Sequence, residues 1–406
     1  MRERQIRIFR VASLASVATT LGLLMMAQAA GPRSAGKSES CPVGADGDLI
    51  SGKPADVSLN PDVLARLIQV LRSKDRDIHG LAISRDCRIV VEMYMSGVTR
   101  AHNHTIYSVT KSVVVTLAGT LLVGDKLSSF DVPVGTLMSK PDTVPARNWE
   151  KTQRIRFRDV LAMSSGLEYT HDPTGNPIYR AHDRFAYALQ PAIVQTPGTH
   201  FQYSDGDASI AGAVVAAVAG TDILTYSVSA LFKPLSFKNY DWWARDPSGR
   251  LAGGWGMRLR VIDMIKLGHL YLEKGVWRDR RIITPAFIDQ AWSPSSAPWY
   301  GLFWWRKASH AATMGTVYEA NGFKGQRILV IPRLNVVVAL TANLASEDEK
   351  SVADLILDHI AEAQLRDDSG GARPKGGSLL DEEMRHPFVG KPGNVVWPED
   401  TPRPPH

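Results

Sequence analysis

Residues 107–124 read Tyr-Ser-Val-Thr-Lys-Ser-Val-Val-Val-Thr-Leu-Ala-Gly-Thr-Leu-Leu-Val-Gly, and the rest of the chain can be organised around them. The part from residue 113 to residue 123 is uncharged and mostly apolar, and its apolar positions do not alternate with polar ones. A run of this length without alternation favours a buried helix over a strand. Gly124-Asp125 ends the run, so we expect a buried helix that starts close to residue 108.

Ser108 and Lys111 lie at the start of this predicted helix, three residues apart and therefore on one helix face. The amino end of a helix is partially positive, which favours a serine alkoxide and disfavours a lysine ammonium nearby. Burial lowers the pKa of a lysine further, so a neutral amine could accept the serine proton. The alternative is a capping serine followed by a solvated lysine. Because Ser34 and Lys37 repeat the spacing in a loop-like region, the buried helix, not the spacing, favours Ser108 as nucleophile.

Patterns on both sides of this helix predict the fold class. Helical or strand-like patterns are clearest at residues 60–71, 80–94, 327–331, 336–341 and 347–364. Most of the chain between residues 101 and 296 has helical patterns broken by Pro and Gly. We therefore predict an α/β (α+β) domain over residues 59–365, with an antiparallel sheet flanked by helices and a mostly helical second lobe inserted at about 101–296. Active sites favour the cleft between such lobes.

The two ends of the chain differ in composition from this domain. A basic stretch, an uncharged stretch and Ala27-Gln28-Ala29 predict a signal peptide over residues 1–29, with an uncleaved membrane anchor as the alternative. Residues 30–58 read as a linker and residues 366–406 as a disordered tail. We therefore expect an exported protein, periplasmic or secreted, with no stable membrane span after the signal peptide is removed.

Charge and metal-ligand patterns narrow the classes of partner. The formal net charge of +6 falls to +3 without residues 1–29, and no basic run is interleaved with aromatic residues, so nucleic-acid binding is not expected. His102 and His104 lack acidic or thiol companions, and we predict a solvated loop there and neither a metal nor a cofactor. Cys41 and Cys87 could form a disulfide after export or remain free. The oligomeric state is left open.

The segment Tyr107-Ser108-Val109-Thr110-Lys111-Ser112 resembles the nucleophile motif of class C β-lactamases and their relatives. These relatives include bacterial esterases, D-amino-acid peptidases and the 6-aminohexanoate-dimer hydrolases. Further resembling segments follow in the family's order at residues 161–167 (Leu-Ala-Met-Ser-Ser-Gly-Leu), 197–205 (Pro-Gly-Thr-His-Phe-Gln-Tyr-Ser-Asp), 253–254, 300–301 and 322–326 (Gly-Phe-Lys-Gly-Gln). The last of these is closest to the dimer-hydrolase branch, and the resemblance covers about residues 60–365.

This resemblance implies a role for individual residues. Ser108 would form an acyl-enzyme, and Lys111 and Tyr203 would share the general-base and general-acid work, with the resting base left open. Backbone N–H groups of Ser108 and Phe323 would hold the oxyanion. Residues that could line the substrate pocket are Tyr169, Tyr179, Trp242, Trp243, Trp304, Trp305, Glu319 and Gly322.

Two positions depart from the family pattern. Asp205 stands where the tyrosine motif often ends in Asn or Ser, and it would either pair with Lys111 and keep it charged or cap the next helix. The Lys-Thr-Gly of β-lactamases is replaced at about residues 317–321 by Val-Tyr-Glu-Ala-Asn, in which Glu319 would repel a carboxylate. This replacement favours a neutral or amine-bearing acyl substrate.

The sequence therefore predicts a serine hydrolase that cleaves a small ester or linear amide through an acyl-enzyme on Ser108. A β-lactamase or D,D-peptidase is the alternative among enzymes, and the missing Lys-Thr-Gly counts against it. A catalytically inactive binding protein on the same fold is the alternative of another class. The presence together of Ser108, Lys111 and Tyr203 counts against that reading.

Overall fold

The structure is a computed structural model that describes residues 41–73, 76–169, 175–308, 310–364, 378–390 and 396–397. The predicted signal peptide lies outside the described residues, as do residues 30–40 of the predicted linker and most of the predicted tail. Within the described ranges, no single helix is long and apolar enough to cross a membrane, although the helix pair Asp205–Ala219 and Ile223–Phe232, bent by 71°, meets that test jointly by length and composition.

Helices and strands alternate in blocks along the described part of the chain. The α-helices are α1 (Pro61–Ser73), α2 (Val109–Val123), α3 (Val134–Leu137), α4 (Ala146–Thr152), α5 (Phe157–Leu161), α6 (Arg184–Ala188), α7 (Asp205–Ala219), α8 (Ile223–Ser227), α9 (Val261–Leu272), α10 (Pro285–Trp292), α11 (Ala311–Met314), α12 (Ser346–Glu362) and α13 (Ser378–Arg385). The strands are β1 (Ile78–Arg85), β2 (Arg88–Tyr94), β3 (Asn103–Thr105), β4 (Asp241–Trp242), β5 (Met257–Leu259), β6 (Val276–Trp277), β7 (Arg280–Arg281), β8 (Trp305–Lys307), β9 (Val317–Gly322), β10 (Gln326–Ile331), β11 (Val336–Ala342) and β12 (Val396–Trp397).

A six-stranded antiparallel sheet forms the centre of the fold, in the order β2-β1-β11-β10-β9-β8. Strand β1, near the start of the domain, pairs with β11, near its end. The helical insertion therefore lies in sequence between two strands that are neighbours in the sheet. Strand β11 is buried at all seven positions, because helices cover both faces of the sheet. The predicted antiparallel sheet flanked by helices is confirmed.

The two faces of the sheet are covered by different helices. Helices α1 and α12 pack on one face, where Leu67, Val338 and Ile356 belong to one apolar cluster. Helix α9 packs on the other face, and a Cβ on its Gly268 would overlap the side chain of Val337. Helix and sheet approach this closely because position 268 has no side chain.

The helical insertion runs from the end of β2 to the start of β8 and contains α2 to α10. Helix α2 is buried along most of its length, from Val109 to Leu121, as the apolar run predicts. It contacts α7 within the insertion and also β9 and β10 of the sheet. This position places the amino end of α2 where the insertion meets the sheet.

Segments predicted as linker and tail carry structure in their described parts. Cys41 is disulfide-bonded to Cys87 in the turn before β2, and buried Asp48 pairs with Arg260 and Lys266 at 2.9 and 2.6 Å. In the tail, α13 buries Leu380 against the α1 side of the sheet. The sequence did not predict structure in either segment, because both are rich in Gly and Pro and the apolar residues that anchor them are few and widely spaced.

Candidate active site

A tight turn between β3 and α2 presents Ser108. Tyr107 has φ of 45°, in the left-handed region that residues other than glycine seldom adopt. Ile106 and Val109 on either side are fully buried, and the Ile106 N–H donates to the carbonyl of Met257 at 3.0 Å. Packing on both sides therefore holds Ser108 at the first turn of α2 in a conformation that the local sequence would not adopt alone.

Lys111 lies one helical turn after Ser108 and is 2 % exposed. Its Nζ donates hydrogen bonds to Ser108 Oγ at 3.0 Å, Asp205 Oδ1 at 2.7 Å and the carbonyl oxygen of Gly254 at 3.0 Å. An ammonium group has three N–H donors, and these three acceptors match that number. A Cβ at position 254 would come within 3.0 Å of Nζ, which explains a glycine at that position.

The protonation state of Lys111 depends on two opposing influences. Burial is the largest single influence and lowers its pKa, but the charge and hydrogen bond of Asp205 together with those of Tyr203 outweigh it, so the pKa of Lys111 lies above its usual value. The sequence left the resting base open, and the arguments from the helix amino end and from burial, which favour a neutral amine, are outweighed here by these partners. Of the two positions considered for Asp205, the structure has the ion pair with Lys111, and Ser204 caps α7 through its Oγ.

Tyr203 and Tyr179 complete the polar cluster around Lys111. The Tyr203 ring centroid lies 4.9 Å from Lys111 Nζ, and the ring stacks on Trp305 at 5.7 Å. The Tyr179 hydroxyl donates to Asp205 Oδ2 at 2.7 Å. Asp205 therefore joins Lys111 to Tyr179, and both of its carboxylate oxygens are engaged.

The end of β9 lies beside the Ser108 turn. A Cβ on Gly322 would overlap the carbonyl oxygen of Ile106, so the strand reaches the turn only because position 322 is glycine. The Phe323 ring meets the Tyr107 ring edge-on, with centroids 5.7 Å apart, and the next residue, Lys324, has φ of 62°. The chain segment expected to supply the second oxyanion N–H is thereby adjacent to the turn that carries Ser108.

Ser108 opens onto a cavity of about 690 Å³ at the junction of the helical insertion and the sheet. That volume suits a small-molecule site. Much of the wall is aromatic, with Tyr107, Tyr179, Tyr203, Trp243, Trp255, Trp305 and Phe323. The polar part of the wall includes Ser108, Asp205, Asn321, Glu349 and Arg184. Arg184, Trp255 and Glu349 lie outside every motif quoted above, and no sequence signal identified them.

Four residues proposed from the sequence as pocket lining lie elsewhere. Trp304 is fully buried against Tyr271, with ring centroids 4.9 Å apart, and its neighbour Trp305 faces the cavity instead. Trp242 is likewise buried, and its indole N–H donates to the carbonyl of Ala252 at 3.0 Å. Successive residues of an extended segment point to opposite sides. One tryptophan of each pair is therefore buried in the core, and the next one faces the cavity.

The other two of these residues are held by neighbouring side chains or backbone. Tyr169 packs under α7, where its hydroxyl donates to the carbonyl of Ala188 at 2.5 Å. Glu319 lines a neighbouring cavity of about 710 Å³ and pairs with Arg327 at 2.9 Å and Lys307 at 3.5 Å. These pairs neutralise the carboxylate that was expected to repel an anionic substrate.

One group of potential metal ligands in the described residues is already committed to other partners. The ligand atoms of Cys41, Cys87, His269 and Glu273 lie within 4.8 Å of one another, but the two sulfurs are joined in the disulfide and supply no thiolate. His104 is buried rather than solvated, and its Nε2 lies 2.8 Å from Nδ1 of His79. The predicted solvated loop is therefore wrong at His104, because His79 on β1 supplies a polar partner in the interior.

Several solved structures have this fold. A putative beta-lactamase from Bacteroides dorei is 17% identical, with a TM-score of 0.61 over 75% of this chain and 99% of its own. A putative 6-aminohexanoate-dimer hydrolase from Bacillus anthracis is 15% identical, with a TM-score of 0.59 over 72% and 81%. EstCE1, a hydrolase with promiscuous acyltransferase activity, is 19% identical, with a TM-score of 0.59 over 75% and 99%. At these identities the likeness shows the fold alone.

Sequence comparison gives the family. No curated protein matches the chain in sequence. The sequence model described as Beta-lactamase matches residues 64–362, which is most of the chain and contains Ser108, Lys111, Tyr203 and the end of β9. The chain belongs to the beta-lactamase family.

Proposed function

We propose that this protein is a serine hydrolase that cleaves an ester or linear amide bond through an acyl-enzyme on Ser108. The observation that carries the proposal is the buried contact of Lys111 Nζ with Ser108 Oγ at 3.0 Å, at the wall of the aromatic cavity. A surface serine and lysine with a purely structural role would not need a buried ion pair with Asp205 behind them.

The geometry supports a division of labour between Lys111 and Tyr203. Asp205 keeps Lys111 charged, so we assign Lys111 to stabilising negative charge on the Ser108 oxygen. Tyr203, with its ring 4.9 Å from the ammonium, acts as a phenolate beside this cation and takes the proton that Ser108 loses on attacking the acyl carbon. The same proton then passes to the leaving oxygen or nitrogen, and water repeats the steps to release the acid.

The surroundings of Ser108 support small esters and linear amides as substrates. The cavity wall is largely aromatic, and residues 317–321 lack the Lys-Thr-Gly with which β-lactamases hold a substrate carboxylate. Among the structural neighbours, EstCE1, a hydrolase with promiscuous acyltransferase activity, and a putative 6-aminohexanoate-dimer hydrolase have the same fold. Penicillin turnover by the same serine would instead support the β-lactamase alternative.

We also propose that the protein works outside the cytoplasm. The signal-like residues 1–29 and the Cys41–Cys87 disulfide support this location, because structural disulfides persist in oxidising compartments. Fractionation of cells that express the full chain tests it. Recovery of the protein only from the cytoplasm with both thiols free would contradict it.

The proposal is tested with a fluorophosphonate probe and a panel of p-nitrophenyl esters, linear amides and penicillins. Wild-type protein should be labelled and should hydrolyse members of the first two classes. Ser108→Ala should abolish labelling and turnover, and Lys111→Ala and Tyr203→Phe should each lower kcat by about 10²-fold or more.

Ser34→Ala is the matched control, because Ser34 and Lys37 have the same Ser-x-x-Lys spacing but precede residues 64–362, which match the family model. It should leave labelling and turnover at the wild-type level. Equal labelling of wild type and Ser108→Ala, or absence of any turnover by the wild type, would contradict the proposal. Thermal unfolding of each variant separates a lost reaction from a lost fold.

A further inference from the structure

Arg184 lies in the wall of the Ser108 cavity, at the first residue of α6. The residue is 8 % exposed, and neighbouring groups fix its position. Its Nη1 donates to the carbonyl of Ala244 at 3.0 Å, and its Cζ lies 5.1 Å from the ring centroid of Trp255. Trp255 in turn meets the Tyr179 ring edge-on at 4.9 Å, which connects Arg184 to the cluster around Asp205.

The other charged residues of the cavity wall have partners. Asp205 pairs with Lys111, and Glu349 accepts the backbone N–H of Lys324 at 2.9 Å and lies 3.4 Å from Arg327. Among the residues that the structure describes, no carboxylate oxygen lies within 4.0 Å of a side-chain nitrogen of Arg184, and Arg184 Nε is buried without a hydrogen-bond partner. The wall therefore holds one guanidinium that no anion neutralises at contact distance.

An unpaired buried cation is unfavourable, and its surroundings relieve the cost only in part. Burial lowers the pKa of Arg184, and the negative charge of Asp246 opposes that effect from a distance. The Asp246 carboxylate accepts the backbone N–H of Arg184 rather than a side-chain nitrogen. A guanidinium stays charged in proteins and binds a carboxylate through two parallel N–H donors. An anionic ligand group would supply the partner that the protein itself does not.

We propose that Arg184 binds a carboxylate of the substrate, so that the preferred substrates are esters or amides with an apolar or aromatic body and a terminal carboxylate. This inference rests on the proposed function and specifies its substrate class. The sequence favoured a neutral or amine-bearing substrate because residues 317–321 contain no cation. Arg184 supplies a cation from the helical side of the same cavity.

The kinetic test compares p-nitrophenyl monoesters of glutaric, adipic and suberic acid with the same compounds bearing a methyl-capped carboxylate. For the chain length that reaches Arg184, kcat/KM should be about 10- to 100-fold higher for the free carboxylate, as expected for a charge-assisted hydrogen bond. Arg184→Gln should bring this ratio to about 1. Arg250→Gln is the matched control, because Arg250 carries the same charge, lies next to Phe185 of α6 and is not part of the cavity wall.

A binding measurement gives a readout without turnover. Calorimetric titration of the Ser108→Ala variant with 4-phenylbutyrate and with 4-phenylbutyramide should give at least tenfold tighter binding of the carboxylate. Adding Arg184→Gln should remove that difference. If Arg184→Gln does not fold, Arg184→Lys replaces it. Loss of the two-donor geometry should then reduce the preference for the carboxylate several-fold, both in kcat/KM and in binding.

The two tests separate failure of this inference from failure of the proposed function. Ester turnover by Ser108 with equal kcat/KM for carboxylate and methyl-capped substrates, or a preference that survives in Arg184→Gln, overturns the inference and leaves the hydrolase intact. If no ester is turned over but carboxylates bind in an Arg184-dependent way, the proposed hydrolase function is refuted and the assignment of Arg184 as a carboxylate-binding residue stands. Equal binding of 4-phenylbutyrate and 4-phenylbutyramide also overturns the inference.

Discussion

Replacing Asp205 by Asn removes the negative charge that keeps Lys111 protonated while leaving a side chain of the same shape. The two groups are 2.7 Å apart, and their side chains are 2 % and 8 % exposed. At an effective dielectric constant of about 20, two unit charges at this distance attract with about 6 kcal/mol. Without that attraction, burial remains the main influence on the amine, so the pKa of Lys111 falls.

The variant should lose both stability and alkaline activity. Breaking a buried ion pair from one side costs about 3–5 kcal/mol, and loss of a proton by Lys111 would relieve part of that cost. Since we assign the charged form of Lys111 to catalysis, the alkaline limb of the kcat/KM profile should move to lower pH in Asp205→Asn. Rates of a neutral p-nitrophenyl ester from pH 5 to pH 10, with denaturant unfolding at each pH, measure both effects.

Asp48→Asn is the matched control, because it also breaks a buried lysine–aspartate pair, with Lys266 at 2.6 Å, away from the cavity. It should lower stability and leave the shape of the pH profile unchanged. An unchanged alkaline limb in Asp205→Asn, or an acid limb that moves instead, would refute the assignment of Lys111 as the charged partner. In that case the neutral amine of Lys111 would be the base.

Three further predictions concern stability and the strand edge. Burial raises the pKa of Asp207 to about 8, so the folded state keeps a proton that the unfolded state releases above its usual pKa. Stability should therefore fall by up to about 1.4 kcal/mol per pH unit between about pH 5 and pH 8, and Asp207→Asn should flatten that slope in urea unfolding. Replacing Cys41 and Cys87 by Ser opens a loop spanning 46 residues in sequence and should lower the free energy of unfolding by about 4 kcal/mol. Gly322→Ala should lower kcat/KM by about 10²-fold in ester hydrolysis, because it pushes the end of β9 away from the Ser108 turn.

Each of these three has an outcome that contradicts it. The same pH slope in wild type and Asp207→Asn would show that another group titrates. Equal stability of the wild type before and after reduction would remove the contribution assigned to the disulfide. Gly124→Ala is the control for Gly322→Ala, since its Cβ would meet only ordinary contacts, and equal activity of the two variants would contradict the close approach of β9.

Local patterns predicted much of the fold and part of the site. Ser108 and Lys111 share a helix face by spacing alone, and the uncharged run from residue 113 to residue 123 predicts the burial of α2. The pairing of β10 with β11 follows from the hairpin pattern over residues 327–341. These features depend on residues that are close together in the sequence, so the sequence alone is enough to predict them.

Long-range pairings were not predictable in the same way. Asp205 meets Lys111 across 94 residues, and the choice between this ion pair and a helix cap, which the sequence left open, depends on that contact. His79 and His104 satisfy each other because β1 and β3 pack together, and neither sequence neighbourhood indicates a partner. Arg184 belongs to no motif, and its place in the cavity depends on the packing of α6.

The most direct test of the account is mass spectrometry of the protein after reaction with a slowly hydrolysed p-nitrophenyl ester, followed by peptide mapping. We predict one added acyl group, attached to Ser108, that disappears as the acid is released and is absent from Ser108→Ala. An acyl group on another residue, or turnover of the ester by Ser108→Ala at the wild-type rate, would contradict it.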